Sequence, residues 1–176
     1  PMCTTPPTRI AGTIETENGQ AVPSVAIALD GSNMPNVNTA VNGKYAFPEM
    51  PGGGTYDVIP SRDDHPLEGV STLDLIYIQK HILGSELLSS PYKMIAADVN
   101  NDEKITAGDI VQLRKLILGI NTKFSNNTSW RMVDKSYKFP DASNPFIGLI
   151  AENYHIPYLN ADMNIDWVGV KTGDVN

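Results

Sequence analysis

The residues best placed to do chemistry form one unbroken stretch, Asp98-Val99-Asn100-Asn101-Asp102-Glu103-Lys104-Ile105-Thr106-Ala107-Gly108-Asp109. Counting Asp98 as position 1, side-chain oxygens fall at positions 1, 3 and 5, a main-chain carbonyl at 7 and a carboxylate at 12. That is the register in which a loop wraps a hard cation in oxygen ligands. The spacing predicts a calcium site made by Asp98, Asn100, Asp102, the Lys104 carbonyl and Asp109. Ile105 at position 8 anchors the loop in the core, and Asp109 begins the helix that follows. One position departs from the pattern: Glu103 stands where a glycine usually makes the sharp turn. The competing reading is an acidic turn that only caps a helix.

A second, weaker copy lies upstream. Counting back from Asp74 as position 12 puts Asp63 at 1, His65 at 3, Leu67 at 5 and Gly69 at 7. Leu67 cannot ligate a metal, and His65 is a poor partner for calcium. Calcium takes about six to eight oxygens, so Asp63, the Gly69 carbonyl and Asp74 would leave an ion under-coordinated. The last residues, Gly173-Asp174-Val175-Asn176, repeat the opening of the good loop. The expectation is that Asp174 completes this second metal site. Within one molecule it would clamp the C-terminus beside Asp63 and Asp74. Between molecules it would link copies head to tail into a filament. The other reading left open is an exposed terminus with no ligand role.

Little else in the chain points to catalysis. His65, His81 and His155 are scattered, and there is no nucleophile elbow, P-loop or dinucleotide fingerprint. The single Cys3 excludes an intrachain disulfide. A formal charge of −7 disfavours nucleic acid and anionic membrane surfaces as partners. No apolar run is long enough to insert in a bilayer. The chain opens on Pro1 rather than Met, as expected of a processed or excised piece. The expectation is a protein that is not an enzyme.

Two kinds of element must position these residues. Of the 176 residues, 41% are apolar and only 19% charged, with 14 glycines and 13 prolines, so a packed core with frequent turns is expected. Up to residue 60 the pattern is of strands. Arg9–Glu15 alternates, Asn18-Gly19 and Asn42-Gly43 mark tight turns, and 25–29, 45–47 and 55–59 read as further strands. After Pro60-Ser61 the period becomes helical. Asp74-Leu75-Ile76-Tyr77-Ile78-Gln79-Lys80-His81-Ile82-Leu83-Gly84 aligns without a gap with Asp109-Ile110-Val111-Gln112-Leu113-Arg114-Lys115-Leu116-Ile117-Leu118-Gly119. This internal repeat predicts two loop–helix units packed face to face, with Leu75, Ile76, Ile78, Ile82 and Leu83 inward in one and Ile110, Val111, Leu113, Ile117 and Leu118 in the other, each ending at glycine. Gln79-Lys80 and Arg114-Lys115 lie off that stripe and are expected to face solvent. Residues 121–160 read as an irregular excursion whose aromatics cover the helices, and 162–171 as a short third helix.

The paired units, each closing on Ile-Leu-Gly, resemble the type I dockerin, the module by which secreted bacterial enzymes dock onto cohesins. The resemblance runs from Asp63 to Gly119 and continues loosely to Asn176. It implies calcium-dependent folding, with Asp98, Asn100, Asp102, Lys104 and Asp109 as the metal ligands. It also implies partner recognition at Thr72, Leu73, Gln79 and Lys80 in the first copy and at Ala107, Gly108, Arg114 and Lys115 in the second. The N-terminal part, through Ile10-Ala11-Gly12-Thr13-Ile14, Asn18-Gly19-Gln20-Ala21-Val22-Pro23-Ser24-Val25 and Asn42-Gly43-Lys44-Tyr45-Ala46-Phe47-Pro48, is similar to carboxypeptidase-regulatory-like and SdrD B-like sandwiches. Such domains are non-catalytic spacers of bacterial surface proteins, and the combination resembles extracellular proteins of the Bacteroidetes.

The expected fold class is α+β in separate domains. An antiparallel β-sandwich at 8–60 precedes an α-helical, dockerin-like domain at 61–176 with paired EF-hand-type calcium loops. The expected function is calcium-stabilised protein–protein assembly outside the cell or on its surface. The partner would be a cohesin-like domain or copies of the same chain, the latter building a filament or surface layer. The alternative is an accessory C-terminal module of a secreted hydrolase or adhesin.

Overall fold

Alternation of apolar and polar residues from Ile10 to Glu15 makes a strand whose every second side chain is buried. It belongs to a computed structural model that describes residues 6–176. Cys3 lies outside the described residues. Eleven strands are described: β1 (Pro7–Thr8), β2 (Ile10–Glu15), β3 (Ala26–Asp30), β4 (Val37–Asn38), β5 (Lys44–Ala46), β6 (Met50–Pro51), β7 (Tyr56–Ser61), β8 (Trp130–Asp134), β9 (Tyr154–Ile156), β10 (Met163–Asn164) and β11 (Trp167–Lys171). The helices are α1 (Thr72–Ile82), α2 (Pro91–Ala97) and α3 (Ala107–Ile117), and Pro145–Ile147 forms one 3₁₀ turn. The chain thus mixes strands and helices. Among the described residues no helix is long and apolar enough to cross a membrane.

The chain divides into two compact units. The first comprises the described residues up to Ser61 together with Met132–Tyr137 and Ala151–Gly169. Sequence patterning assigns everything after residue 60 to one continuous domain, whereas here two later segments return to the first unit. One sheet is antiparallel in the order β4-β3-β7-β9. Besides the small β1–β6 pair, a second sheet runs β10-β2-β11-β8, with β5 also on β2. In it β2 pairs in parallel with both β10 and β11, which the expected antiparallel sandwich does not contain. Ile10, Ile14, Ile27, Tyr45, Phe47, Val58, Ile156 and Trp167 fill the core.

The helix expected over 162–171 is instead β10 and β11. Trp167, Val168, Gly169, Val170 and Lys171 are all buried, so the segment has no solvent face of the kind a surface helix needs. Asp166 fixes the approach to β11 by accepting from the Thr13 N–H at 2.8 Å.

The second unit holds Arg62–Arg131, Lys138–Ile150 and Val170–Asn176. Helices α1 and α3 pack on each other around Ile78, Leu113 and Leu116. Their N-caps are Ser71 and Thr106, with Asp74 and Asp109 at the third helical position closing capping boxes. Helix α2 was not evident from periodicity; it starts from the Ser90 cap with Pro91 in its first turn, where proline costs no hydrogen bond. Phe124 is buried, and Phe139 meets Tyr92 of α2 edge-on at 5.4 Å.

Candidate metal centre

The loop between α2 and α3 is drawn inward by its own carboxylates. Asp98 accepts from the N–H groups of Asp102 at 3.0 Å and Glu103 at 2.9 Å. Asp109 accepts from Asn100 N–H at 3.1 Å and Thr106 N–H at 2.8 Å. Asp102 in turn accepts from Lys104 N–H at 3.1 Å and from the Asn100 amide at 3.0 Å. Glu103 has φ +62°, so the left-handed turn normally made by glycine is made here despite the side chain. Asn101 shares that conformation at φ +57°. The structure therefore brings Asp98, Asn100, Asp102 and Asp109 into one hydrogen-bonded loop. Asn127 fastens it from outside by donating to the Asp98 carbonyl at 3.0 Å.

Electrostatics bear on whether a cation fits. Asp98 and Asp109 are fully buried. Burial pushes both carboxyls above the usual carboxylate range, and a neighbouring aspartate adds to this in each case: Asp109 for Asp98, and Asp102 for Asp109. The hydrogen bonds to their carboxylates come largely from backbone N–H groups, which offset only part of the desolvation of two like charges. Among the described residues no three His, Cys, Asp or Glu side chains converge to hold an ion. Any fit thus rests on the mixed set of aspartate, asparagine and main-chain oxygens, all hard donors suited to calcium.

The first loop is built differently. Asp74, fully buried, accepts from Ser71 N–H at 2.8 Å through one oxygen. Its other oxygen accepts from Val175 N–H at 2.8 Å and the Asn176 amide at 3.0 Å. The C-terminal Asp174-Val175-Asn176 therefore meets Asp74 as Asp98-Val99-Asn100 meets Asp109. The Asp174 carboxylate occupies the space a Cβ on Gly69 would need, and Gly69 itself has φ +77°. Burial, then the charge of Asp74, raises the Asp174 carboxyl. Asp174, Asp74 and Gly69 are together. Asp63 is exposed and accepts from Ser129 N–H at 2.8 Å.

Lys171 is a member of this neighbourhood that sequence reasoning missed. It is buried, and its Nζ donates to the Pro66 carbonyl at 2.8 Å and the Ser129 carbonyl at 3.2 Å. Desolvation pulls its pKa down to about 8, against the attraction of Asp174, Glu68 and Asp64.

The outward faces of α1 and α3 carry the remaining predicted residues. Thr72, Leu73, Gln79, Ala107, Gly108, Arg114 and Lys115 are exposed. Lys80 is half-exposed, ion-paired with Glu86 at 2.7 Å and set over the Tyr77 ring. The apolar stripe is wider than the buried arc: Ile76, Leu83, Val111 and Leu118, expected inside, face solvent. Of the residues expected inside, Ile78 and Leu113 lie in the helix core, joined by Leu116.

No curated protein and no solved structure matches the chain. A family model does, over well under half of its length. Residues 68–133, from just before α1 through α3 and into β8, match the dockerin type I domain, a calcium-binding module that docks onto cohesin partners.

Proposed function

We propose that the chain is a non-catalytic, extracellular module that docks onto a cohesin-like protein through the outward faces of α1 and α3, in a fold stabilised by calcium. One observation carries this reading. The two copies of the repeat leave equivalent apolar residues uncovered, Ile76 with Val111 at 48% exposure each, and Leu83 with Leu118 at 71% and 66%. Beside them stand the exposed or half-exposed polar pairs Gln79-Lys80 and Arg114-Lys115. Apolar side chains with a polar rim, repeated at equivalent positions, have the make-up of a protein-binding patch. Thr72 and Leu73 extend the face at the start of α1.

Calcium would be held by Asp98, Asn100, Asp102, the Lys104 carbonyl and Asp109. When bound it supplies the positive charge that two buried aspartates otherwise lack. A second ion would be held discontinuously, by Asp74 and Asp174 beside Gly69, with Asp63 the outlying donor. The first unit, whose sequence resembles spacer sandwiches, would be a non-catalytic spacer.

Size-exclusion chromatography with a type I cohesin domain tests the docking. In millimolar calcium the chain should run as a monomer alone and co-elute with the cohesin. Replacing Leu83, Lys115 and Leu118 together by glutamate should abolish co-elution while costing no more than about 0.5 kcal/mol of stability per exposed substitution. A monomer that ignores the cohesin refutes the reading. Higher species formed without any partner would favour assembly of copies instead.

A further inference from the structure

In the repeat of Asp98-Val99-Asn100 by Asp174-Val175-Asn176, the residue three places earlier is Ile95 in one copy and Lys171 in the other. Ile95 is fully buried, as suits its apolar side chain. A lysine at the equivalent place, also buried, needs a reason, because its ammonium must be desolvated.

Its contacts supply one. The Nζ reaches two carbonyls far apart in sequence, Pro66 in the first loop and Ser129 before β8. The rings of Phe124 and Trp130 each lie 5.9 Å from it. Ser129 is itself tied to the first loop, its N–H to Asp63 and its hydroxyl to the Asp64 carbonyl at 2.7 Å. The residues after Lys171 are then seated in turn. Thr172 N–H donates to the Ser129 carbonyl at 3.0 Å, Gly173 N–H to the Ala96 carbonyl at 2.8 Å, and Val175 N–H to Asp74. Gly173 has φ +86°, which L side chains rarely adopt, and a Cβ there would also press on the end of the Leu113 side chain at 2.6 Å.

We propose that Lys171 is a positioning residue: its ammonium latches residues 170–176 onto the first loop and so delivers Asp174 to Asp74. The latch needs no ion. It extends the calcium reading above only in what it delivers, namely a carboxylate for the second ion.

Amide hydrogen exchange in chelator tests the latch without calcium. Lys171→Met should speed exchange at Thr172, Gly173 and Val175 by roughly tenfold or more, while Leu113 and Leu116 of α3 stay protected. In the wild type, the Lys171 ammonium protons should exchange roughly tenfold more slowly than those of exposed Lys123, a reading that does not depend on the variant folding. Unchanged exchange at 172–175 in the variant, or fast ammonium exchange in the wild type, overturns the latch. Calcium binding by equilibrium dialysis separates the two readings. One ion fewer per chain in Lys171→Met supports both. Equal stoichiometry with altered exchange supports the latch and removes Asp174 from the ion set.

Discussion

Calcium added to chelated protein at neutral pH should raise its melting temperature, and Asp98→Asn should remove most of the gain. Ligation by Asp98 and Asp109 requires α2 and α3 to be in place, so binding energy becomes folding energy. At about a hundred times the dissociation constant the stabilisation is roughly 2.7 kcal/mol. Asp98→Asn keeps the size of the side chain but an acceptor for only one of the Asp102 and Glu103 N–H groups, which reach different Asp98 oxygens, so the calcium gain is read for each protein against its own melting in chelator. The pH dependence gives a second, independent check. In the fold both carboxyls are held above the usual range by burial. The folded chain therefore binds their protons more tightly than the unfolded chain does. That contribution is fully present below the unfolded carboxylate pKa and is lost as pH rises through the folded values. Chelated protein should thus be less stable at neutral pH than in mild acid, so far as these two groups govern it. Calcium requires the ionised form, so the stabilisation it brings should grow with pH over the same range. Identical melting at pH 7 in chelator and in millimolar calcium would show that the loop is not a metal site.

Gly12→Ala should be the most damaging small substitution in the first unit. Gly12 lies in β2, and a Cβ there would fall on the Ile165 carbonyl oxygen and come within 2.8 Å of the Tyr45 ring. Neither neighbour can yield easily. The Ile165 carbonyl accepts the Tyr45 hydroxyl at 2.7 Å, and the Ile165 N–H donates to the Ala11 carbonyl at 2.8 Å. Overpacking of this kind costs about 1–3 kcal/mol and more where backbone must move. Gly19→Ala is the control. Gly19 also resists substitution through its φ of +79°, yet a Cβ there meets nothing, so its cost should be only the roughly 1–2 kcal/mol of a left-handed residue. Urea midpoints for the two variants measure the difference. A Gly12→Ala protein as stable as the Gly19→Ala control would mean that β2 and the 163–167 segment do not approach as closely as described.

The sequence by itself determined the local elements whose signal is local. Strands β2, β3, β5 and β7 and helices α1 and α3 each carry their period within a dozen residues, and Asn18-Gly19 and Asn42-Gly43 mark their turns. The loop from Asp98 to Asp109 was legible for the same reason, because its donors are consecutive and their register is set by a single turn. The likeness of the last three residues to Asp98-Val99-Asn100 was legible as well. What they are bonded to was not. The pairing of β2 with β10 and β11 joins residues about 150 apart along the chain. The apolar run 167–171 reads the same whether it becomes a helix or a doubly covered strand, and only a neighbouring strand decides. The same holds for Ile76, Leu83, Val111 and Leu118. Helical period places them on the apolar side, but how wide an arc is covered depends on what packs there, and α1 and α3 cover only the arc of Ile78, Leu113 and Leu116. Lys171 marks the limit most clearly: a lysine in sequence is a surface residue by default, and only carbonyls drawn from two distant segments can make it a buried one.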